Sequence, residues 1–189
     1  SIGEWVMLEA CMQNKLWQNK GYSPIYVSVN VSIIQLEQPK FYETVGKVLY
    51  DSQLKPEYLQ LEITETIFTK NYEKIADTIR RINELGVKIA IDDFGTGYSS
   101  MGQLSRLEIS KLKIDKSFIW EIHRSENKNK IVKAIISLAK SLNLDLTAEG
   151  VEASDQLDFL IENGCNIVQG YLYSKPLNSC DIEKLFQMR

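Results

Sequence analysis

Apolar and polar positions alternate in short runs along the chain, and between those runs apolar residues recur every three to four positions. Trp5, Leu8, Met12 and Leu16 form one such stripe, which predicts a helix over 2–19 stopped at Gly21. Tyr26–Ile33 alternates and reads as a strand, with a helix around 40–52 after it and a strand at Leu59–Thr64. Ile75, Ile79 and Ile82 mark a helix that ends at Gly86, and Val87–Asp92 is the next strand, followed by a glycine-rich loop over 93–100. Lys111–Asp115 is a short strand. Ile131, Ile135, Leu138 and Leu142 predict an amphipathic helix, and Leu144–Glu149 a strand. Ser154 can cap a short helix carrying Leu157, Leu160 and Ile161, with Gly164 after it. Ile167–Leu172 is a sixth strand, and a last helix starts at Asn178 or Ser179 and carries Ile182, Leu185 and Phe186. Strand and helix in alternation predict parallel βα units in one sheet. No linker, low-complexity segment or internal repeat interrupts them, so 1–189 reads as a single domain.

The polar half of each strand decides how that sheet closes. Val27, Val29 and Val31 alternate with Ser28, Asn30 and Ser32; Leu59, Leu61 and Ile63 alternate with Gln60, Glu62 and Thr64. The same holds for Ile89 and Ile91 against Lys88 and Asp92, for Leu112 and Ile114 against Lys111, Lys113 and Asp115, and for Leu146 and Ala148 against Asp145, Thr147 and Glu149. A doubly wound sheet is covered by helices on both faces and reads as continuous apolar runs. One polar face in five strands, with helices between them, predicts an α/β fold of the (β/α)8 barrel type with a site-bearing interior. A full barrel takes about 250 residues and eight strands. This one is expected to be incomplete, short of about two βα units.

Composition narrows the chemistry. The chain has 189 residues with 22 Lys plus Arg against 25 Asp plus Glu, a formal net charge of -3, and 44% hydrophobic residues. These values suit a folded domain and exclude a bulk nucleic-acid binder. No apolar run approaches the length of a membrane span. Cys11, Cys165 and Cys180 are too few and too far apart for a disulfide framework or a zinc site, which favours a reduced, cytoplasmic setting. The single histidine, His123, excludes histidine metal clusters; it borders a polar stretch, Arg124–Lys130, that reads as a loop, and is expected to be exposed. Any metal must then be held by oxygen, which suits Mg²⁺, Mn²⁺ or Ca²⁺. Trp5 and Trp17 are expected to pack in the core.

In a barrel the active site lies at the C-terminal ends of the strands. Asn30, Glu62, Asp92, Asp93, Lys113, Glu149 and Gln169 all fall at or near such ends. Taken singly, each has an ordinary explanation: a structural amide, a turn carboxylate, a solvated lysine. Taken together they place four carboxylates at one mouth, where mutual repulsion calls for cations. Adjacent Asp92 and Asp93 suit a pair of divalent ions that activate water for phosphoryl displacement, with Lys113 neutralising the phosphate or orienting the water. Glu65 and Glu152 read as supporting residues.

At these residues the chain resembles the EAL family of bacterial cyclic di-GMP phosphodiesterases. The likeness runs through Val29-Asn30-Val31-Ser32, Glu62-Ile63-Thr64-Glu65, Asp92-Asp93-Phe94-Gly95-Thr96-Gly97-Tyr98-Ser99-Ser100, Lys113-Ile114-Asp115, Ala148-Glu149-Gly150-Val151-Glu152 and Gln169-Gly170-Tyr171. The resemblance implies a modified TIM barrel that hydrolyses cyclic di-GMP to linear pGpG with two Mg²⁺ or Mn²⁺ ions, Ca²⁺ being inhibitory. It implies Asn30, Glu62, Asp92 and Asp93 as metal ligands, and Lys113 as the residue holding water and phosphate. Glu149 would be a ligand or acid/base, Gln169 a water-positioning amide, and Glu65 the anchor of loop 93–100. It also implies a homodimer, no membrane contact by this domain, and a parent that carries sensory or GGDEF domains and can itself be membrane-tethered. The Glu-Ala-Leu signature belongs upstream of Ile2-Gly3-Glu4-Trp5-Val6 and is absent, with its glutamate and a substrate-contacting arginine. The chain, opening at Ser1 without a signal peptide, therefore reads as a piece of a longer protein. A cyclic di-GMP receptor or protein-interaction scaffold without catalysis is the alternative reading.

Overall fold

A computed structural model describes residues 1–68, 72–97 and 101–187. Its helices are α1 (Ile2–Asn19), α2 (Ile33–Leu36), α3 (Phe41–Ser52), α4 (Tyr72–Glu84), α5 (Met101–Leu104), α6 (Lys116–Ile119), α7 (Glu126–Ser141), α8 (Ser154–Asn163) and α9 (Ser179–Gln187). Its strands are β1 (Val27–Asn30), β2 (Leu59–Thr64), β3 (Lys88–Phe94), β4 (Lys111–Ile114), β5 (Asp145–Glu149) and β6 (Ile167–Gln169), with single 3-10 turns at Pro56–Tyr58 and Glu65–Phe68. The six strands follow one another in chain order in a single sheet. Every described pairing is parallel. Sequential parallel strands with a helical crossover each time are the topology of a barrel wall, not of a doubly wound sheet, whose order reverses at a switch point.

The chain forms two compact units, one drawn from 1–63, 72–89 and 176–187, the other from 64–68, 90–97 and 101–175. In the first, α1, α3 and α4 cover the β1–β2 pair, and Met7, Cys11, Val45, Leu59, Leu61, Ile75, Ile79 and Ile82 are buried. Asn14 is fully buried with them, and its side-chain amide donates to the carbonyls of Ile25 (2.9 Å) and Tyr58 (3.4 Å). In the second, α6 and α7 pack on β4 and β5, and Phe118, Val132, Ile136, Ala139, Phe159 and Leu160 are buried. Part of the polar parity is buried, as the barrel reading requires: Gln60, Glu62, Asp92, Lys111, Lys113 and Thr147 are buried, whereas Ser28, Asn30, Thr64, Lys88 and Asp145 of the same set are exposed. No water-facing sheet surface would bury them; satisfied polar groups in an interior do.

Six expectations need correction. The α1 stripe faces outward: Trp5, Met12 and Leu16 are 62%, 50% and 46% exposed, while Met7, Cys11, Asn14 and Trp17 make the buried face. Of the two tryptophans, only Trp17 packs. The first strand stops at Asn30, because Ser32 caps α2 by accepting from the Gln35 N–H. The strand expected at 87–92 runs on through Asp93 and Phe94; residues 98–100 of the expected loop lie outside the described residues. The polar stretch 124–130 is mostly helix, since Ser125 caps α7 and its first turns are solvated. The last strand ends at Gln169, where a turn begins. Cys11 and Cys165 are buried thiols without disulfides, and burial pushes Cys11 up to about 11, so neither is a reactive thiolate. Among the described residues no helix is long and apolar enough to cross a membrane.

Candidate metal and phosphodiester site

The second unit holds the densest chemistry. Register places Ile91 opposite Leu112 and Phe94 opposite Ile114, so two residues, Asp92 and Asp93, face one, Lys113. This is a β-bulge. In a regular strand, neighbouring side chains point to opposite faces. The bulge, with Asp93 at φ 53, lets both carboxylates approach the same place. Aspartate tolerates that left-handed backbone better than most residues. Asp92 accepts the Asp93 N–H at 3.1 Å, and the Thr96 hydroxyl donates to the Asp93 carbonyl at 2.9 Å, which holds the bulge in shape.

Lys113 is the counter-charge. Its ammonium lies 2.7 Å from Glu149 and 3.0 Å from Asp92, and only 5% of its side chain is exposed. Oxygens of Asp92, Asp93 and Glu149 lie within 4.8 Å of one another. Burial pushes the Asp93 carboxyl up, and the charges of Asp92 and Asp115 and a hydrogen bond with Asp115 push it further, against the opposing pull of Lys113. Burial also pushes Asp115 up, but hydrogen bonds from the Ser117 hydroxyl and N–H and from Asp93 outweigh it, and Asp115 stays low. Three crowded carboxylates with one of them driven toward its neutral form are a site short of positive charge. Hard oxygen donors at this spacing fit a divalent cation.

The sign of this mismatch is testable. A carboxyl whose pKa is raised by folding favours the folded state while protonated, and that contribution is lost as pH rises through the raised value toward neutrality. Asp93→Asn is therefore expected to raise, not lower, the unfolding midpoint of the metal-free protein at pH 7.5. The same variant is expected to lose the stabilisation that added Mg²⁺ or Mn²⁺ confers on the native protein. Scanning calorimetry in EDTA and in metal reads both. A variant less stable than native in EDTA would contradict the charge assignment.

Glu65 reaches the backbone just after Phe94. Its Oε2 accepts the Gly95 and Gly97 N–H groups, both at 2.9 Å, and the Glu65 side chain is 4% exposed. Hydrogen bonds to an ionised acceptor contribute about 1.5–3 kcal/mol each. Glu65→Ala is expected to speed amide exchange at Gly95 and Gly97 about 10²-fold, read by NMR. Unchanged protection at both amides would remove this role.

In the first unit, Asn30, the last residue of β1, is the register partner of Glu62, two residues before the end of β2. Glu62 is buried and Asn30 exposed. The Gln60 amide donates to Ser28 Oγ at 2.9 Å and to Glu62 Oε1 at 3.3 Å. In the second unit Gln169 is the register partner of Glu149 and is exposed. His123 is exposed, edge-on to Phe159 and 3.2 Å from the Asp155 carbonyl, away from this chemistry. Two polar residues carried no role in the sequence reading, Gln60 and Asp115. Gln60 lies in β2 two residues before Glu62, and Asp115 caps α6 two residues after Lys113, so the alternation that found those residues extends to both.

Comparison with known proteins gives a consistent picture. The family profile described as EAL domain matches residues 1–176. The chain is 41% identical over 176 residues, 93% of its length, to the bifunctional diguanylate cyclase/cyclic di-GMP phosphodiesterase MucR of Pseudomonas aeruginosa, covering 26% of that protein. It is 39% identical over 186 residues to the cyclic di-GMP phosphodiesterase NbdA of the same organism, covering 98% of the chain and 24% of NbdA. The chain thus spans about a quarter of the length of these relatives. The solved MucR phosphodiesterase in complex with c-di-GMP superposes with a TM-score of 0.92 at 40% identity, over 96% of this chain and 73% of that one.

Proposed function

The chain belongs to the EAL domain family, and from that premise we propose that it carries the catalytic face of a metal-dependent phosphodiesterase that hydrolyses cyclic di-GMP to linear pGpG. The observation that carries this reading is the bulge that sets Asp92 and Asp93 together opposite Lys113, with Glu149 closing the group. Two ions, Mg²⁺ or Mn²⁺, would supply an activated water and positive charge for the phosphoryl oxygens. Asn30, Glu62, Asp92 and Asp93 are the residues assigned to hold them. Lys113, already fixed between two carboxylates, is oriented without further rearrangement to hold the water or a phosphate oxygen, which is what electrostatic preorganisation requires. Glu149 is within reach of Lys113 and of the aspartates, as a ligand or as the group that carries a proton. Gln169, beside Glu149 on the next strand, offers a neutral amide to position water. Water oxygen bonds to one phosphorus, one ribose oxygen leaves with a proton, and the ring opens at a single phosphodiester. Glu65 holds the loop after Asp93. A cytoplasmic setting, a homodimer and attached sensory or GGDEF domains belong to the same proposal.

The test is chromatography of cyclic di-GMP incubated with the protein in Mg²⁺, Mn²⁺ and Ca²⁺, with Glu62→Gln alongside. The expected result is pGpG with Mg²⁺ and Mn²⁺, suppression by Ca²⁺, and none from the variant. Nucleotide binding without turnover would overturn catalysis and leave a receptor.

A further inference from the structure

The last two strands of the second unit stay locked together beyond their ends. Glu149 and Gln169 are the final register pair of β5 and β6. Past them, the Val151 N–H donates to the Gln169 carbonyl at 3.1 Å, and the Leu172 N–H donates to the Val151 carbonyl at 3.0 Å. Both backbone groups of Val151 are thus taken by the 169–172 segment, and its side chain is fully buried. The N–H groups of Tyr173 and Ser174 return to the Gly170 carbonyl at 3.2 and 3.4 Å, so the chain turns immediately after this contact.

Gly170 is what allows it. A Cβ at this position would lie 2.1 Å from the Val151 carbonyl oxygen and 2.3 Å from its nitrogen. Both atoms are backbone, so no rotamer change relieves the clash. Only separation of the two strand ends does, by about 1 Å. The requirement at 170 is close approach rather than an unusual φ. The residue before Gly170 is Gln169, and Glu149 lies two residues before Val151. Any separation at this contact is therefore passed to the Glu149 carboxylate, which sits 2.7 Å from Lys113 and within 4.8 Å of Asp92 and Asp93.

We propose that Gly170 is a positioning residue: its bare Cα, laid on the Val151 backbone, sets the distance between the ends of β5 and β6 and so holds Glu149 and Gln169 in place against Lys113 and the aspartates. A site geometry displaced by about 1 Å costs about 10²-fold in rate. The kinetic half of this inference rests on the phosphodiesterase reading; the metal-binding half does not.

The experiment uses Gly170→Ala in the protein, with two companions. Val151→Ala removes the buried side chain that packs the Val151 backbone in place, without adding an atom to the contact. Gly164→Ala is the control for a purely structural glycine. It sits at the α8 C-cap at φ +87, where a Cβ would meet only the end of the Lys140 side chain. Two quantities are read on folded protein, verified by circular dichroism: Mn²⁺ affinity by EPR titration, and kcat and KM for cyclic di-GMP. Gly170→Ala is expected to weaken Mn²⁺ binding about tenfold and lower kcat about 10²-fold, with KM within threefold. Val151→Ala is expected to shift both in the same direction by about threefold. Gly164→Ala is expected to lower the unfolding midpoint and leave Mn²⁺ affinity and kcat within twofold. Should Gly170→Ala not fold, Val151→Ala decides. Native-like Mn²⁺ affinity and kcat in every folded variant at 170 and 151 overturns the proposal. Equal losses in Gly164→Ala overturn it too, since the effect would then be general destabilisation. A native protein that binds Mn²⁺ without hydrolysing cyclic di-GMP refutes the phosphodiesterase reading alone, and the EPR comparison still judges Gly170. A native protein with neither property overturns both.

Discussion

Lys113→Met is expected to reduce cyclic di-GMP hydrolysis by about 10³-fold, the upper end of what loss of one preorganised electrostatic group costs. Lys113 is the cation of the cluster, and its ammonium touches Asp92 at 3.0 Å and Glu149 at 2.7 Å in a setting where all three side chains are largely shielded. Methionine keeps the length and removes the charge. Asp92 and Glu149 then lose the ammonium that they share. Removing one partner of a buried pair costs about 3–5 kcal/mol, a large share of a domain's net stability of about 5–15 kcal/mol. The variant should therefore unfold at lower urea than native, and added Mg²⁺ or Mn²⁺ should recover more stability than it does in the native protein, because metal would then be the cluster's counter-charge. Turnover within tenfold of native, at equal folded fraction, would show that Lys113 is structural only.

Asp92→Asn is expected to weaken Mn²⁺ binding at least 10²-fold and to abolish detectable turnover. Asp92 touches Lys113, accepts the Asp93 N–H and shares the carboxylate cluster, so it ties the bulge to its counter-charge. An amide in its place preserves the shape and deletes the charge. Its charge is also, after burial, a leading cause of the raised Asp93 pKa. The variant's Asp93 should titrate closer to the ordinary carboxylate range, measurable by carbon-detected NMR. The two readouts move together only if the carboxylates act as one group. Mn²⁺ affinity within threefold of native would refute the shared site.

The two variants differ in sign where it matters. Losing Lys113 makes the cluster more negative and more dependent on metal. Losing the Asp92 charge makes it less negative and less able to bind metal. A stability titration with Mn²⁺ at pH 7.5 therefore separates them even if both are inactive, since bound cation stabilises the folded state in proportion to its affinity.

Much of this was legible from residue order alone, because strand periodicity is enforced locally. Successive residues of a strand alternate faces whatever the rest of the chain does. The positions of Glu62, Lys113, Glu149 and Gln169 at or near strand ends, and the polar parity they share, follow from counting by twos. What counting could not supply was the bulge. Asp92 and Asp93 are adjacent, and alternation sends one of them away from the other. Only the pairing of β3 with β4, with two residues facing Lys113, turns them to the same place. Asp115 and Gln60 stayed without a role for a similar reason: their parity was known, their contacts were not.

Helix α1 shows the opposite failure. Two faces of it carry apolar residues at helical spacing, one with Trp5, Met12 and Leu16, the other with Met7, Cys11 and Trp17. The buried face also contains Asn14, which makes it read as the more polar of the two. Asn14 belongs there because the carbonyls of Ile25 and Tyr58, from distant parts of the sequence, accept its amide hydrogens. A buried polar group is tolerable once hydrogen-bonded, and whether a partner exists is a question of tertiary contact. Likewise the polar start of α7 read as a loop because solvated first turns look like one until the Ser125 cap is seen.

By itself, then, the order of residues determined the alternation of strand and helix, the parallel sheet, the polar interior and the family, since each depends on local periodicity or on a linear motif. Tertiary structure alone decided how the β3 bulge turns Asp92 and Asp93 to the same place, that Lys113 is held between two carboxylates, which face of α1 is inside, and that nothing larger than a hydrogen fits at Gly170, because each of these depends on pairing with residues from another part of the chain.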